Sequence, residues 1–329
     1  MPDRLFQTPL RDSPLTASSA LRRRFMLIHN PIAGVANRSL LNKVMCLLKS
    51  RGAEVVLTST PLREALRDPV NTDAIIAAGG DGTIRALAAV TGDLPVGIIP
   101  VGTANVFARE IGLAVKAAVV ADVLMSGPVV EIEGATANGV PFFLMAGAGF
   151  DGEVVARLDT GLKRSFGRAA YALPIIRTLR TDPVPLRVKV DGTTHVARWV
   201  IATRARHYAG SFRLAAGRSC LMNPGFDVVL IKGMDVKIAL RQLMSLSLGR
   251  LAREHDVEFL SATELEIESD APVACQVDGD KFGHLPLSIK AGGPRFRLIV
   301  PEAFAAQAVS HSPTATSAAA STSASAAPL

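Results

Sequence analysis

The apolar positions of this chain fall into two textures. Between residues 25 and 128, short apolar runs alternate with stretches of helical spacing. Phe25-Met26-Leu27-Ile28-His29 has the density of a buried strand and ends in the turn Asn30-Pro31-Ile32-Ala33-Gly34. Over residues 38–50, Leu41, Val44, Met45 and Leu48 recur at three- and four-residue intervals, the period of one helix face. Val55-Val56-Leu57 predicts a second strand. Ala74-Ile75-Ile76-Ala77-Ala78 predicts a third, running directly into Gly79-Gly80-Asp81-Gly82-Thr83 and another helix. Val96-Gly97-Ile98-Ile99 predicts a fourth, followed by the turn Pro100-Val101-Gly102-Thr103. Strand–turn–helix repetition of this kind predicts an α/β domain, a parallel sheet covered by helices. Ligands of such sheets bind at the carboxyl ends of the strands. All three glycine-containing turns fall on that edge.

After Pro128 the pattern shortens. β-Branched and aromatic segments recur at Val129–Ile132, Phe142–Met145, Leu186–Val190, Arg198–Ala202, Phe226–Ile231, Glu264–Ile267, Leu287–Ala291 and Phe296–Val300. Asp191-Gly192 and Asp278-Gly279 punctuate them as hairpin turns. This predicts a mostly antiparallel β-sandwich with helical insertions near residues 153–180 and 236–253. The expected organisation is a disordered leader (1–23), a nucleotide-binding α/β domain (24–128), a β-rich domain (129–302) and a disordered Ala/Ser/Thr-rich tail (303–329).

Composition removes several classes of function. No apolar run reaches the ~18–20 residues of a membrane span. The three cysteines, Cys46, Cys220 and Cys275, are far apart and form neither a disulfide framework nor a metal spacing, which fits a reducing cytoplasm. The net charge is +7, but aromatics are only 5% and no nucleic-acid reader motif is present, so nucleic acid is not an expected partner. An anionic membrane surface accounts for a basic protein. So does a basic enzyme with no polyanion partner, and charge alone does not choose between them.

Gly79–Thr83 carries the strongest chemistry. Its glycines let backbone N–H groups curl towards a phosphate, and the following helix offers its positive N-terminus to the same anion. Asp81 suits such a site if Mg²⁺ arrives with a nucleotide. Neither a Gly-x-x-x-x-Gly-Lys-Ser/Thr loop nor a protein-kinase His-Arg-Asp loop nor a Gly-x-Ser-x-Gly elbow is present. Gly147-Ala148-Gly149-Phe150-Asp151-Gly152 spells the dinucleotide fingerprint, but no acidic residue is well placed ~20 positions on and no βαβ unit surrounds it.

The motifs Asn30–Gly34, Gly79–Thr83 and Pro100-Val101-Gly102-Thr103-Ala104-Asn105 follow one another in an order and spacing that resembles the diacylglycerol kinase catalytic family. That family includes the bacterial YegS-type lipid kinases and the sphingosine kinases, and is distantly similar to NAD kinases and 6-phosphofructokinases. The likeness continues in Gly147-Ala148-Gly149-Phe150-Asp151, His207-Tyr208-Ala209-Gly210 and Val277-Asp278-Gly279-Asp280, and so covers roughly residues 24–302.

The resemblance implies an ATP- and Mg²⁺-dependent kinase acting on a lipid hydroxyl, cytoplasmic and peripheral at the inner face of the membrane. It implies an ATP site lined by Asn30, Pro31, Ile32, Ala33, Gly34, Thr60, Gly79, Gly80, Asp81, Gly82, Thr83, Ile84, Arg85, Ala86, Gly102, Thr103 and Asn105. Asp278-Gly279-Asp280 corresponds to the family's Asp-Gly-Glu, which makes Asp280 the first candidate for the proton acceptor and Asp278 the second. Asp81 is the remaining catalytic candidate and a possible Mg²⁺ contact, with no confident metal ligand set beyond it.

Three departures from the family pattern stand out. Val106 replaces the Asp of Asn-Asp-Phe-Ala-Arg, Arg85-Ala86 replaces Asn-Glu, and Asn223-Pro224-Gly225 stands where many members have Asp-Asp-Gly for a structural Mg²⁺. Two other functions remain open: a kinase of a soluble acceptor, as in NAD kinases, and a nucleotide- or lipid-binding homologue without turnover. Arg157, Lys163, Arg164, Arg168, Arg177 and Arg180, interleaved with apolar residues, suit either a segment lying on an anionic membrane or an amphipathic helix packed on the sandwich. Pro174 argues against one straight helix there.

Overall fold

The structure, a computed structural model, describes residues 15–16, 21–29, 38–58, 71–159, 161, 167–214, 221–233 and 235–310. The α/β part contains β1 (Arg24–His29), α1 (Arg38–Ser50), β2 (Glu54–Leu57), β3 (Ala74–Gly79), α2 (Asp81–Ala88), β4 (Val96–Pro100), α3 (Val106–Glu110) and α4 (Ala117–Ser126). Its strands are parallel, with Phe25 opposite Ala74 and Val55, and Ile75 opposite Val96. All six residues of β3 are buried, as expected of a strand covered on both faces. In α1 the buried residues are Leu40, Val44 and Leu48, with Leu41 and Met45 partly buried beside them.

The second part runs through β5 (Val129–Ala137), β6 (Val140–Phe142), β7 (Met145–Ala148), α5 (Phe150–Ala156), α6 (Ala172–Leu179), β8 (Leu186–Val190), β9 (Thr193–Ala197), β10 (Trp199–Thr203), β11 (His207–Tyr208) and β12 (Phe212–Arg213). It continues through β13 (Phe226–Ile231), α7 (Val236–Ser247), β14 (Val257–Ala262), β15 (Glu264–Glu268), β16 (Ala274–Val277), β17 (Asp280–His284), β18 (Leu287–Ile299) and α8 (Glu302–Ser310). One antiparallel sheet has the order β14-β13-β10-β7-β16-β17. Its inner residues Ala146, Val200, Val228 and Val277 share a core with Leu186, Val188, Leu265, Ile267 and Ile289 of the facing strands β8, β15 and β18. Two sheets packed in this way form the expected sandwich.

The sheet does not stop at the sequence boundary near residue 128. Strand β18 pairs antiparallel with β15 and β5, then reaches the parallel sheet, where Leu298 lies opposite Val96 of β4. The two segments expected at 287–291 and 296–300 are therefore one strand. Its register with β5 shifts between Ala291 and Arg295, which absorbs Gly292-Gly293-Pro294 as a bulge.

Conversely, the strand expected over Phe142–Met145 is split between β6 and β7. The backbone N–H groups of Phe143, Leu144 and Met145 leave the ladder to donate to the carboxylate of Asp278. Asp191-Gly192 and Asp278-Gly279 both take positive φ at each residue, as two-residue hairpin turns require.

Both ends of the chain depart from expectation within the described residues. Leu15–Thr16, inside the segment expected to be disordered, pairs with Val129 and Val130. The Arg22 side chain is buried, donating to the carbonyls of Leu124 (3.1 Å) and Gly127 (2.7 Å). At the other end, helix α8 buries Phe304 and Ala305, so order extends past residue 303. The rest of the leader and tail lies outside the described residues.

The glycines of residues 147–152 serve packing. Strand β7 lies between two antiparallel neighbours, β10 and β16, and not in a βαβ unit. A Cβ on Gly149 would sit 2.4 Å from the Arg198 carbonyl oxygen, and one on Gly152 2.0 Å from that of Ala274. Asp151 lies buried between them, accepting from Gln276 Nε2 (2.9 Å) and its neighbour Gly152 N (2.8 Å). Burial lifts its carboxyl from an ordinary 3.8 to about 6, against the opposing pull of these bonds.

As pH rises through 3.8 the unfolded chain releases this proton while the folded chain keeps it until about 6, so the group's contribution to stability is lost across that window. We expect Asp151→Asn to gain stability relative to the parent between pH 4 and 6, by up to about 3 kcal/mol, in urea denaturation at stepped pH. A constant difference across that range would contradict this account.

Candidate active site

The phosphate loop forms where the fully buried β3 delivers Gly79 and Gly80 to the start of α2. The first turn of a helix leaves its N–H groups without intrahelical partners, a positive end suited to an anion. The second glycine turn packs directly on the first, because the N–H groups of Val101 and Gly102 both donate to the Gly79 carbonyl at 3.2 Å. The approach is so close that a Cβ on Gly102 would lie 2.4 Å from the Gly80 Cα. Only glycine fits there. Thr103 beside it is exposed.

Asn105 adopts left-handed φ of 48° and donates through Nδ2 to the Gly102 (2.8 Å) and Pro100 (3.3 Å) carbonyls. Its Oδ1 is buried without a hydrogen-bond partner among the described residues. An unpaired buried acceptor is costly unless something outside the fold satisfies it.

Asp81 occupies the first position of α2, and its two oxygens accept from Val106 N and Phe107 N, each at 3.0 Å. It therefore caps α3 and ties the two loops into one unit. Val106, the departure from the family's Asp, contributes a backbone donor to that cap. Among the other expected ATP-site residues, Gly82 and Ala86 are exposed and Thr83 is half-buried, whereas the Ile84 side chain is in the core. Asn30, Pro31, Ile32, Ala33, Gly34 and Thr60 lie outside the described residues.

The Asp278-Gly279 turn brings the second half of the site from the antiparallel sheet. Asp280 lies against the phosphate loop, its Oδ2 3.8 Å from where a Cβ on Gly82 would stand. Arg85 of α2 reaches across, donating to Asp280 Oδ2 at 2.6 Å and to the Val277 carbonyl at 3.0 Å. Asp278 points the other way. It is half-buried, and its oxygens accept from Phe143 N (3.2 Å), Leu144 N (3.0 Å) and Met145 N (3.0 Å). Burial is the dominant influence and pushes its carboxyl up to about 6, partly offset by those N–H groups and the Arg85 charge.

Several features were not visible in the sequence. His207 is fixed by Glu110 of α3, whose Oε1 accepts from His207 N at 2.5 Å and lies 2.7 Å from Nδ1. Ala209 and Gly210, both at positive φ, turn the β11–β12 hairpin. The Asn223-Pro224-Gly225 turn surrounds the buried Arg204, whose guanidinium donates to the carbonyls of Leu221 (3.2 Å), Asn223 (2.9 Å) and Gly225. Arg157 points inward instead of forming a solvated basic face. It pairs with Glu153 (2.9 Å), donates to Thr178 Oγ1 (2.9 Å), and lines a cavity of about 270 Å³ with Arg198 and Asp235. Helix α6 begins at Ala172 and accommodates the buried Pro174 in its first turn. Lys163 and Arg164 lie outside the described residues.

Comparison with known proteins agrees with this geometry. Residues 24–137 match the family model described as the diacylglycerol kinase catalytic domain, and residues 145–305 that described as the YegS C-terminal NAD kinase beta sandwich-like domain. The chain is 30% identical over 281 residues to a diacylglycerol kinase of Mycobacterium tuberculosis, covering 80% of this chain and 90% of that one. It is 27% identical over 284 residues to a diacylglycerol kinase of Bacillus subtilis, covering 80% and 92%. The fold is similar to the crystal structure of a putative diacylglycerol kinase from Bacillus anthracis, with a TM-score of 0.69, 22% identity and coverage of 91% of this chain and 100% of the other.

Loss of the Asp81 cap would leave two N–H groups at the start of α3 unanswered. Asp81→Ala is expected to cost about 1–3 kcal/mol of folding stability in urea denaturation. An unchanged midpoint and slope would mean the cap is not carrying α3.

Proposed function

Because this chain belongs to the diacylglycerol kinase family, we propose that it is an ATP- and Mg²⁺-dependent lipid kinase whose acceptor is a diacylglycerol- or sphingosine-like hydroxyl. One observation carries the reading: the Asp280 carboxylate and the phosphate-loop helix face the same space, with Gly82 between them. A carboxylate beside a built anion site is the pairing that phosphoryl transfer to an alcohol needs.

The residues present fit a nucleotide. The close Gly80–Gly102 approach holds the two glycine turns side by side, and the Asn105 Oδ1, without a partner among the described residues, offers an acceptor beside them. The amides of the Gly80–Thr83 turn and the hydroxyl of the exposed Thr103 would hold the triphosphate. Bound ATP·Mg²⁺ supplies the phosphoryl group and charge neutralisation. Asp81 already accepts two backbone N–H groups, so the cation would depend mainly on the phosphates for its ligands.

Asp280 would take the proton from the acceptor hydroxyl as its oxygen bonds to the γ-phosphorus and the bond from that phosphorus to the departing ADP breaks. Arg85 holds that carboxylate towards Gly82 and sets a positive charge beside the transferred group. Asp278 is already engaged by backbone N–H groups; its bonds to Phe143, Leu144 and Met145 fix the turn that presents Asp280.

In mixed micelles containing diacylglycerol or sphingosine, Asp280→Asn should lower transfer at least about 100-fold while ATP affinity stays within about twofold. Full retained rate would remove Asp280 from the mechanism. Transfer by the parent protein only to a water-soluble acceptor would favour the soluble-substrate reading instead. Gly102→Ala should weaken ATP binding by at least about tenfold in calorimetry, because the added methyl forces the two loops apart. Unchanged affinity would place the nucleotide elsewhere.

A further inference from the structure

Helix α7 (Val236–Ser247) is apolar on two opposite faces. Ala239, Gln242, Ser245 and Leu246 are buried against the sandwich. On the other side Val236, Leu240, Met244 and Leu248 follow one another at four-residue steps and are 51%, 54%, 60% and 61% exposed. At 1.5 Å per residue this stripe is about 18 Å long. A surface helix ordinarily turns charge towards water, so a second apolar face needs a second apolar neighbour.

The surroundings indicate its chemistry. Lys237 shares the exposed face, and Arg250 and Arg253 follow just past the helix end. Arg213 of the β11–β12 hairpin sits beside them, its Cβ 3.9 Å from where a Cβ on Gly249 would stand, and brings the exposed Phe212. Among the described residues these four cations have no ion-pair partner. The nearby acids are used inward, Arg241 pairing with both Glu254 (2.7 Å) and Asp256 (2.8 Å), which leaves Asp235 at the helix start as the exposed carboxylate. No helix among the described residues is long and apolar enough to cross a membrane.

We propose that the outer face of α7, with the β11–β12 hairpin and the basic turn at 249–253, is the surface by which this protein docks on an anionic lipid bilayer. An apolar stripe bordered by unpaired cations matches the acyl boundary and the headgroup charge of such a surface. The inference rests on the lipid-kinase reading for its purpose but not for its physics. The hairpin that borders the stripe is also the one His207 pins to Glu110 of α3, so the docked face is tied to the helix capped by Asp81.

The test uses the full chain and sedimentation with vesicles of phosphatidylcholine alone or equimolar phosphatidylcholine and phosphatidylglycerol. The parent should bind the anionic vesicles at least about tenfold more tightly than the neutral ones, and Leu240→Glu/Met244→Glu should lose at least about tenfold of that affinity. The milder Lys237→Gln/Arg250→Gln should weaken binding at low salt and leave folding intact. The Leu240→Glu/Met244→Glu protein should keep the parent rate on a short-chain diacylglycerol dissolved as monomers and lose it on diacylglycerol carried in anionic vesicles. Equal sedimentation of parent and variants, or no preference for anionic vesicles, would overturn the proposal. So would light scattering showing a dimer that Leu240→Glu/Met244→Glu dissociates, since the stripe would then belong to a second copy. If the parent binds anionic vesicles as described yet phosphorylates no lipid in any form, the docking surface stands and the kinase reading fails.

Discussion

The site depends on two carboxylates that satisfy backbone N–H groups on either side of one aromatic cluster. Asp278 accepts from Phe143, Leu144 and Met145; Asp81 accepts from Val106 and Phe107. Between them the Phe143 ring meets Phe296 of β18 at 4.9 Å between centroids and Phe107 at 6.4 Å. A path of short contacts thus runs from the turn presenting Asp280, through three buried rings, to the loop at the start of α2. Each aspartate does locally what a cap does for a helix. Together they fix the distance between Asp280 and the glycine turns, which are built on different sheets. Phe296 belongs to the strand that joins the parallel and antiparallel parts of the eleven-stranded sheet, so the core that holds the two halves of the chain together also bears on the geometry of the site.

The protein handles its buried charge mostly with backbone dipoles. Asp278 rests half-buried on three N–H groups, and its raised carboxyl reflects how incompletely they replace water. Arg204 is the mirror case, a buried guanidinium held by three carbonyls in and beside the Asn223-Pro224-Gly225 turn. Pro224 supplies no ligating side chain, and the carbonyls of that turn are already engaged by a cation covalently part of the chain. The Arg85–Asp280 pair differs: it is a part-exposed ion pair between α2 and the turn from β16. Surface pairs contribute little to stability, so its value is positional.

How much of this the sequence discloses depends on the range of the interaction. Local rules found the strands of the α/β domain within a residue or so, because β3 and β4 are uniformly apolar and end in glycine turns. They also found the Asp191-Gly192 and Asp278-Gly279 hairpins, because only a few residue pairs tolerate two positive φ values in succession. They failed where a distant group changed the outcome. Phe142–Met145 has strand composition throughout, yet a carboxylate more than a hundred residues away takes the hydrogen bonds of its second half. Gly292-Gly293-Pro294 reads as a break between two strands, but pairing with β5 on both sides carries the ladder across it as a bulge. The leader looked featureless because Arg22 buries its guanidinium on carbonyls that lie a hundred residues on. Helix α7 was placed correctly, but its apolar outer face became meaningful only once the other face was known to be buried.

Arg85 shows how a departure from a family pattern can change meaning in three dimensions. In sequence it removes an Asn-Glu pair and weakens the resemblance at the phosphate loop. In the fold it lies one turn along α2, where its guanidinium reaches both the Val277 carbonyl and Asp280. The Glu that the resemblance implies at position 280 would be one methylene longer than the Asp found here. A shorter carboxylate presented by the same turn gains from a partner on the opposite side that draws it towards the loop, and Arg85 is built to do this. The two replacements are therefore coherent with each other: the reach lost at 280 is matched by a long cation at 85. Arg85 and Asp280 are accordingly better understood as one unit than as two separate deviations.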